Sequence, residues 1–200
     1  MGRRLTSAVV LTVAASLAAP LAQQQFSRLD ADRCQKKIAG IVQFGVTPPK
    51  RAGQRSTQLT DAEVTAYIRH HARDQTPVGI VEPTISALGD GRVGGRAMVD
   101  LDAVRKQKQR GWLDPLAYLT GRLPVTATGR LTTKDGVGRF QLESAEISSV
   151  PVPKAVIQEL LSFYSRTEKD PDGINMDDPF ELPARIREIR VAKGAATVVQ

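Results

Sequence analysis

Apolar and small residues occupy every second position in two stretches of the chain, 93–101 and 123–131. A period of two places these residues on one side of a β-strand. Gly89-Asp90-Gly91, before the first stretch, and Lys134-Asp135-Gly136, after the second, have the composition of tight turns, because glycine and aspartate tolerate positive φ. The pattern therefore predicts two β-hairpins, with strands at 78–88, 92–101, 122–133 and 137–149.

A period near 3.6 residues marks three helices. The first is expected at 26–43. The second follows Thr60, because a threonine with Glu63 three residues later is typical of a capping box. The third begins after Pro153 and carries the most continuous apolar stripe, Val156, Ile157, Leu160, Leu161 and Tyr164. On the second helix, the side chains expected to be buried are Val64, Tyr67, Ile68 and His71.

The remaining elements complete one α+β domain at 23–200. A short charged helix is expected at 103–106 with Asp102 as its cap, and an apolar segment follows at 112–119. The chain is expected to end in a hairpin of Phe180–Val191 and Ala195–Gln200. No Pro/Gly/Ser-rich boundary divides the chain. We therefore expect a curved, mainly antiparallel sheet with a long amphipathic helix packed across it.

Gly89, Gly91 and Gly94 match G-x-G-x-x-G, a pattern found in dinucleotide-binding loops. That pattern binds a pyrophosphate only where it leads from a strand into a helix N-terminus. Here the glycines lie between two predicted strands, and paired glycines disfavour a helix start. The motif predicts a hairpin turn and no nucleotide cofactor.

The N-terminus has the pattern of a secretory signal. Arg3 and Arg4 precede an uncharged apolar run that is shorter than a membrane span, and small residues follow. Cleavage is expected near Ala22, with Ala18 as the alternative, so residues 1–22 form the signal peptide. An uncleaved N-terminal anchor is the competing interpretation. Cleavage predicts a periplasmic or secreted protein.

Charge and aromatic content argue against a nucleic-acid partner. The chain has 28 Lys and Arg against 21 Asp and Glu, and removal of Arg3 and Arg4 leaves a net charge of +5. Aromatic residues make up 4% of the chain, too few for a stacking platform. The same charge is compatible with transient contact with an anionic membrane surface. The oligomeric state is left open.

The sequence predicts neither a catalytic residue nor a metal ligand. His70 and His71 are adjacent, so on a helix they point about 100° apart and cannot share a metal. A calcium loop starting at Asp170 fails, because Ile174 and Asn175 occupy positions five and six, where an oxygen ligand and a glycine are needed. Cys34 is the single cysteine and is expected to pack on a helix face.

Several motifs occur in an order that resembles bacterial envelope proteins of the tubular lipid-binding type. They are TDAE at 60–63, GDGRV at 89–93, LPVTATG at 123–129, VPVP at 150–153 and PFELPARIREIRVAKGAATV at 179–198. The resemblance covers about residues 56–200. It implies a long helix on a curved sheet that holds phospholipid-like ligands. Cys34 lacks the context of a lipoprotein attachment site, which favours a soluble form.

A bent sheet with small residues on its apolar side can enclose a groove beneath a helix. Together with the resemblance, this predicts a non-enzymatic protein that binds a lipid or another long apolar ligand and needs no cofactor. The alternative is a structural or partner-binding envelope module with a filled core. The residues expected to line the groove are Val93, Val99, Leu101, Val125, Ala127, Phe140, Leu142, Ile157, Leu160 and Leu161.

Overall fold

Two β-hairpins form the centre of the structure, as the sequence predicts. The first joins strands β2 and β3, and the second joins β4 and β5. In both turns the two central residues have positive φ, at 52° and 76° for Asp90 and Gly91 and at 49° and 86° for Asp135 and Gly136. Two successive positive φ values are the pattern of a type I′ turn, whose twist suits the flanking strands. No helix begins at the glycine motif.

The computed structural model describes residues 26–47, 53–107, 120–168 and 170–200. Four α-helices occur in this part of the chain, namely α1 (Arg28–Val46), α2 (Asp61–His70), α3 (Leu101–Gln107) and α4 (Lys154–Ser165). The strands are β1 (Ser56–Thr60), β2 (Ile80–Gly89), β3 (Arg92–Asp100), β4 (Arg122–Lys134), β5 (Val137–Ile147), β6 (Val150–Pro151), β7 (Phe180–Glu181), β8 (Glu188–Ala192) and β9 (Ala195–Val199).

The strands form two antiparallel sheets, which confirms the α+β class. The large sheet has the order β2-β3-β4-β5-β6, and β7 also pairs with β5. The small sheet has the order β1-β9-β8. The predicted terminal hairpin therefore exists as β8 and β9, but its first strand begins at Glu188. The prediction that this strand starts at Phe180 was wrong, because Phe180 pairs with Gly138 of the large sheet.

The second helix begins at the predicted residue, but the side that it buries is not the predicted one. Thr60 Oγ1 accepts a hydrogen bond from the Glu63 N–H and Glu63 Oε2 accepts one from the Thr60 N–H, which completes the capping box. The buried residues of α2 are Glu63, Thr65 and Ala66. Val64, Tyr67 and Ile68, which were expected to be buried, are only half-buried, and His71 is exposed. The reason is that α2 lies between helix α1 and the polar edge of strand β2.

The fully buried apolar residues concentrate around the small sheet and the first two helices. Ile41 of α1, Ile186 and Val198 of β9 form one buried cluster. Cys34 is 1% exposed on the same helix as Ile41, as its spacing predicts. The small sheet joins the turn end of the large sheet through main-chain hydrogen bonds, such as Gly91 N–H to Val191 O at 3.3 Å. The packed core is therefore displaced from the centre of the large sheet.

Two helices flank the far end of the large sheet. The cap of α3 is Asp100, whose Oδ1 accepts from the Ala103 N–H at 3.0 Å. The prediction that Asp102 caps this helix was wrong, and Asp102 instead pairs with Arg105. Helix α4 begins directly after Pro153, and its main contacts are with β5.

Two predicted features lie outside the described residues. They are the signal segment 1–22 and the apolar segment 112–119. Within the described ranges, no helix combines the length and the apolar character needed to cross a bilayer.

Candidate functional site

One face of the large sheet is almost wholly aliphatic. Residues directly opposite each other in paired strands point to the same side of the sheet. By this register the face carries Val99 opposite Leu123, Ala97 opposite Val125, Gly95 opposite Ala127, Val93 opposite Gly129, Gly129 opposite Leu142, and Leu131 opposite Phe140. Six predicted groove residues, Val93, Val99, Val125, Ala127, Phe140 and Leu142, thus share this surface, which we call the apolar face.

The apolar face is incompletely covered. All six of those residues are half-buried, and no apolar side chain of β3 or β4 is fully buried. Central strands of a sheet usually carry the most buried side chains, because their neighbours and the opposing layer both exclude water. Here the fully packed layer lies against α1, α2 and the small sheet instead.

The side chains in the middle of the apolar face are small, so the surface is recessed there. Gly95, Ala97 and Ala127 form a patch in which no side chain extends beyond one methyl group. The Phe140 ring lies directly over Gly129, where a Cβ would overlap it. β-Bulges interrupt the ladders between Val81 and Thr84 and between Thr128 and Gly129, and bulges bend and twist a sheet. The apolar face is therefore a curved surface that is recessed at its centre and has the Phe140 ring beside the recess.

The opposite face of the same sheet is charged. Arg92 and Arg130 face each other across β3 and β4, and both pair with Glu143, at 2.8 Å and 3.4 Å. Arg122 pairs with Asp100 at 3.0 Å. The Ala103 N–H and the Arg122 guanidinium together hold the pKa of the Asp100 carboxyl below its usual value. The large sheet is therefore amphipathic, with one solvated face and one apolar face.

The other predicted groove residues lie at the margins. Leu101 is 3% exposed and begins α3, so it belongs to the packed part of the structure. Ile157, Leu160 and Leu161 are half-buried on α4, the helix that contacts β5. The structure thus brings the strand residues onto one surface and places the helix residues beside its β5 margin.

Sequence reasoning missed the β2 contribution. Ile80 pairs with Val99 and Ile85 pairs with Gly95, so both belong to the apolar face. The hairpin register could have identified them, but the bulge at Glu82 and Pro83 interrupts the alternation along β2. Next to Ile80 lies a cleft of about 800 Å³ between the end of α2 and the beginning of β2, which the sequence did not indicate.

The two histidines have hydrogen-bond or ion-pair partners, and the cysteine is buried. His70 Nε2 donates to the Phe26 carbonyl at 3.0 Å, and His71 Nε2 lies 2.7 Å from Asp32 Oδ1. Burial raises the pKa of the Cys34 thiol to about 11, so it is protonated at neutral pH. Among the described residues, no three or more His, Cys, Asp or Glu side chains are grouped to hold a metal ion.

Comparison with known proteins leaves the family open. No family model matches the sequence, and no curated protein matches it. Among solved structures, the chain has a weak similarity to one described as a lipopolysaccharide binding protein, with 15% identity and a TM-score of 0.22. The match covers 72% of this chain and 40% of that chain. A similarity at this level carries no argument about fold or function.

Proposed function

We propose that this protein binds a lipid or another long apolar ligand on the apolar face of its large sheet and catalyses no reaction. The observation that carries the proposal is the only partly buried aliphatic surface of the two central strands, which lies apart from the packed core. We further propose that the protein acts in the periplasm or outside the cell, after removal of residues 1–22.

The energetic reason is the cost of leaving this face in water. An antiparallel sheet normally buries one face and solvates the other. The charged face is the solvated one here, so the apolar face needs a cover. Each methylene group of an acyl chain that is buried contributes about 0.8 kcal/mol. A chain laid over the patch at Gly95 and Ala127 would fill the space that those small side chains leave.

The order of motifs along the chain supports the same class of ligand. It resembles envelope proteins of the tubular lipid-binding type, which hold phospholipid-like molecules on a curved sheet. Cys34 is buried in α1, so we propose a soluble form with transient membrane contact, without a lipid anchor on this cysteine. A partner-binding module is the second candidate, because the same apolar face would also suit a protein surface.

The test is to purify the protein gently, extract it with organic solvent and identify the extract by mass spectrometry. Ala127→Trp places a large ring in the low centre of the apolar face. We expect lipid recovery to fall while the stability of the delipidated protein holds or rises, whereas overpacking a filled core costs about 1–3 kcal/mol. Thr132→Trp is the control, because Thr132 is exposed on the charged face of the same strand.

The outcomes separate the candidates. Strong destabilisation by Ala127→Trp with unchanged lipid recovery would remove Ala127 from the site. A wild-type protein that carries no lipid would favour the partner-binding module.

A further inference from the structure

The cleft between α2 and β2 combines apolar walls with cationic side chains. Phe26, Val78 and Ile80 contribute apolar surface, and Val78 is 48% exposed. Arg69, in the last turn of α2, and Arg73, which follows the end of that helix, also line it. Its volume of about 800 Å³ lies within the range of small-molecule sites, about 300–1,000 Å³.

The cleft reaches the apolar face at one residue. Ile80 lines the cleft and pairs with Val99, so its side chain lies on the same side of the sheet as the predicted groove. The Gly79 carbonyl holds the start of β2 against the end of β3, because it accepts a hydrogen bond from the Asp100 N–H at 2.7 Å. A Cβ on Gly79 would overlap the Val104 side chain of α3. The cleft therefore lies along the edge of the sheet at the start of β2, where Ile80 belongs to the apolar face and Val81, which pairs with Met98, belongs to the other side.

The two arginines differ in what holds them. Arg69 donates from Nε to the Pro83 carbonyl at 2.7 Å and from Nη2 to the Glu82 carbonyl at 2.9 Å, and it stacks on Phe26 at 4.5 Å. These partners are neutral groups, so the positive charge of Arg69 is not cancelled. Arg73 is exposed and forms no ion pair within the described part of the chain. Among the described residues that line the cleft, Glu82 is the one acidic side chain, so cationic groups predominate there.

We infer that the cleft binds the anionic head group of an amphiphile whose apolar chain continues past Ile80 onto the apolar face. Arg73 would bind the anion directly, because a guanidinium donates two parallel hydrogen bonds to a carboxylate or phosphate. Arg69, fixed by the β2 carbonyls, would add a positioned charge behind it. This inference rests on the proposed function and names the ligand class as an acidic single-chain or phosphate-headed lipid.

The test compares two probes with the same labelled chain and a charged or neutral head, a pyrene-labelled dodecanoic acid and its methyl ester. We expect the wild type to bind the acid more tightly. Arg73→Gln should weaken binding of the acid about tenfold, the loss expected for a hydrogen bond to a charged group. Binding of the ester should change by less than about twofold, as for a surface charge with no partner. Arg73→Lys should recover part of the affinity.

Controls separate the inference from the proposed function. Arg139→Gln removes an exposed charge from the opposite face and should change neither probe. Equal effects of Arg73→Gln on acid and ester, or no effect on the acid, would overturn the head-group site while lipid binding stands. If the wild type binds neither probe, the proposed function fails, and the head-group site with it. Displacement of the acid by millimolar inorganic phosphate alone would assign the cleft to a free anion and overturn the amphiphile.

Discussion

Glu63 connects two helices through one carboxylate. Lys37 Nζ of α1 donates to both of its oxygens at 2.7 Å, and the Thr60 N–H of the α2 cap donates to Oε2 at 3.0 Å. Burial by itself would raise the pKa of Glu63, but these hydrogen bonds outweigh it and hold the pKa below its usual value. The same residue that caps α2 therefore also fixes α1 against it.

A pH-dependent contribution to stability follows from this lowered pKa. In the unfolded chain the carboxyl titrates near 4.5, so its stabilising effect is fully present above that pH and is lost as pH falls through the lower folded pKa. We expect Glu63→Gln to lower the free energy of unfolding at neutral pH by about 1–3 kcal/mol. Urea denaturation from pH 7 down to about pH 3 should show this deficit shrinking, because only the wild type loses a charge.

Glu146→Gln is the matched control, since Glu146 is exposed on the charged face of β5. It should leave the stability nearly unchanged at both pH values. A deficit for Glu63→Gln that stays constant down to pH 3 would show that the carboxylate charge is not what stabilises the α1–α2 contact.

At the scale of elements, helix α2 covers the outer edge of strand β2. An edge strand presents unpaired N–H and C=O groups that can recruit another chain. Here the Ile85 N–H donates to Thr65 Oγ1 at 3.0 Å and the Ala87 N–H donates to Asp61 Oδ1 at 2.9 Å. The Arg69 guanidinium donates to the Glu82 and Pro83 carbonyls at the bulge. Polar side chains of a helix thus replace the missing neighbouring strand.

Thr65→Val tests this edge cover. Thr65 is 0% exposed, and valine keeps its shape but cannot accept the Ile85 N–H. We expect a loss of about 1–3 kcal/mol in the free energy of unfolding, the cost of an unsatisfied buried donor. Hydrogen exchange of the Ile85 amide should accelerate. Thr65→Ser removes only a methyl group, so it should keep that amide protected. Equal protection of the amide in both variants would contradict the edge-cover role.

At the scale of the whole molecule, the packed core and the apolar face occupy different places. The core joins α1, α2 and the small sheet, while the large sheet extends from it with one side incompletely covered. Under the proposed function, this division would keep the ligand surface apart from the core. Removal of the lipid should then leave the core folded.

Export is a prediction about the whole chain. Arg3 and Arg4 followed by an uncharged run predict a cleaved signal, so the mature protein should begin between Ala19 and Gln25. N-terminal sequencing of protein from the cell-envelope fraction measures this directly. Recovery of the full-length chain from the cytosol as the main form would contradict it.

Local features of the fold were predictable from the sequence. The Asp-Gly turns specify their hairpins, because few residues adopt the two positive φ values that such turns need. The Thr60 and Glu63 pair specifies the start of α2, because it satisfies helix N–H groups within four residues. Strict alternation likewise determines that Val125 and Ala127 point to the same side of their strand, since the side-chain period of a strand is two.

Only the tertiary structure decided which surfaces are covered. Pairing of β1 with β9 joins residues that are far apart in the sequence, such as Ser56 and Val199, and no local pattern specifies a partner at that distance. That pairing creates the small sheet and draws the packed core away from β3 and β4. The side of α2 that is buried, the partial burial of the apolar face and the cleft beside Ile80 likewise depend on which elements pack together. Burial is a property of what packs against a residue, so the alternation could identify the face but not what covers it.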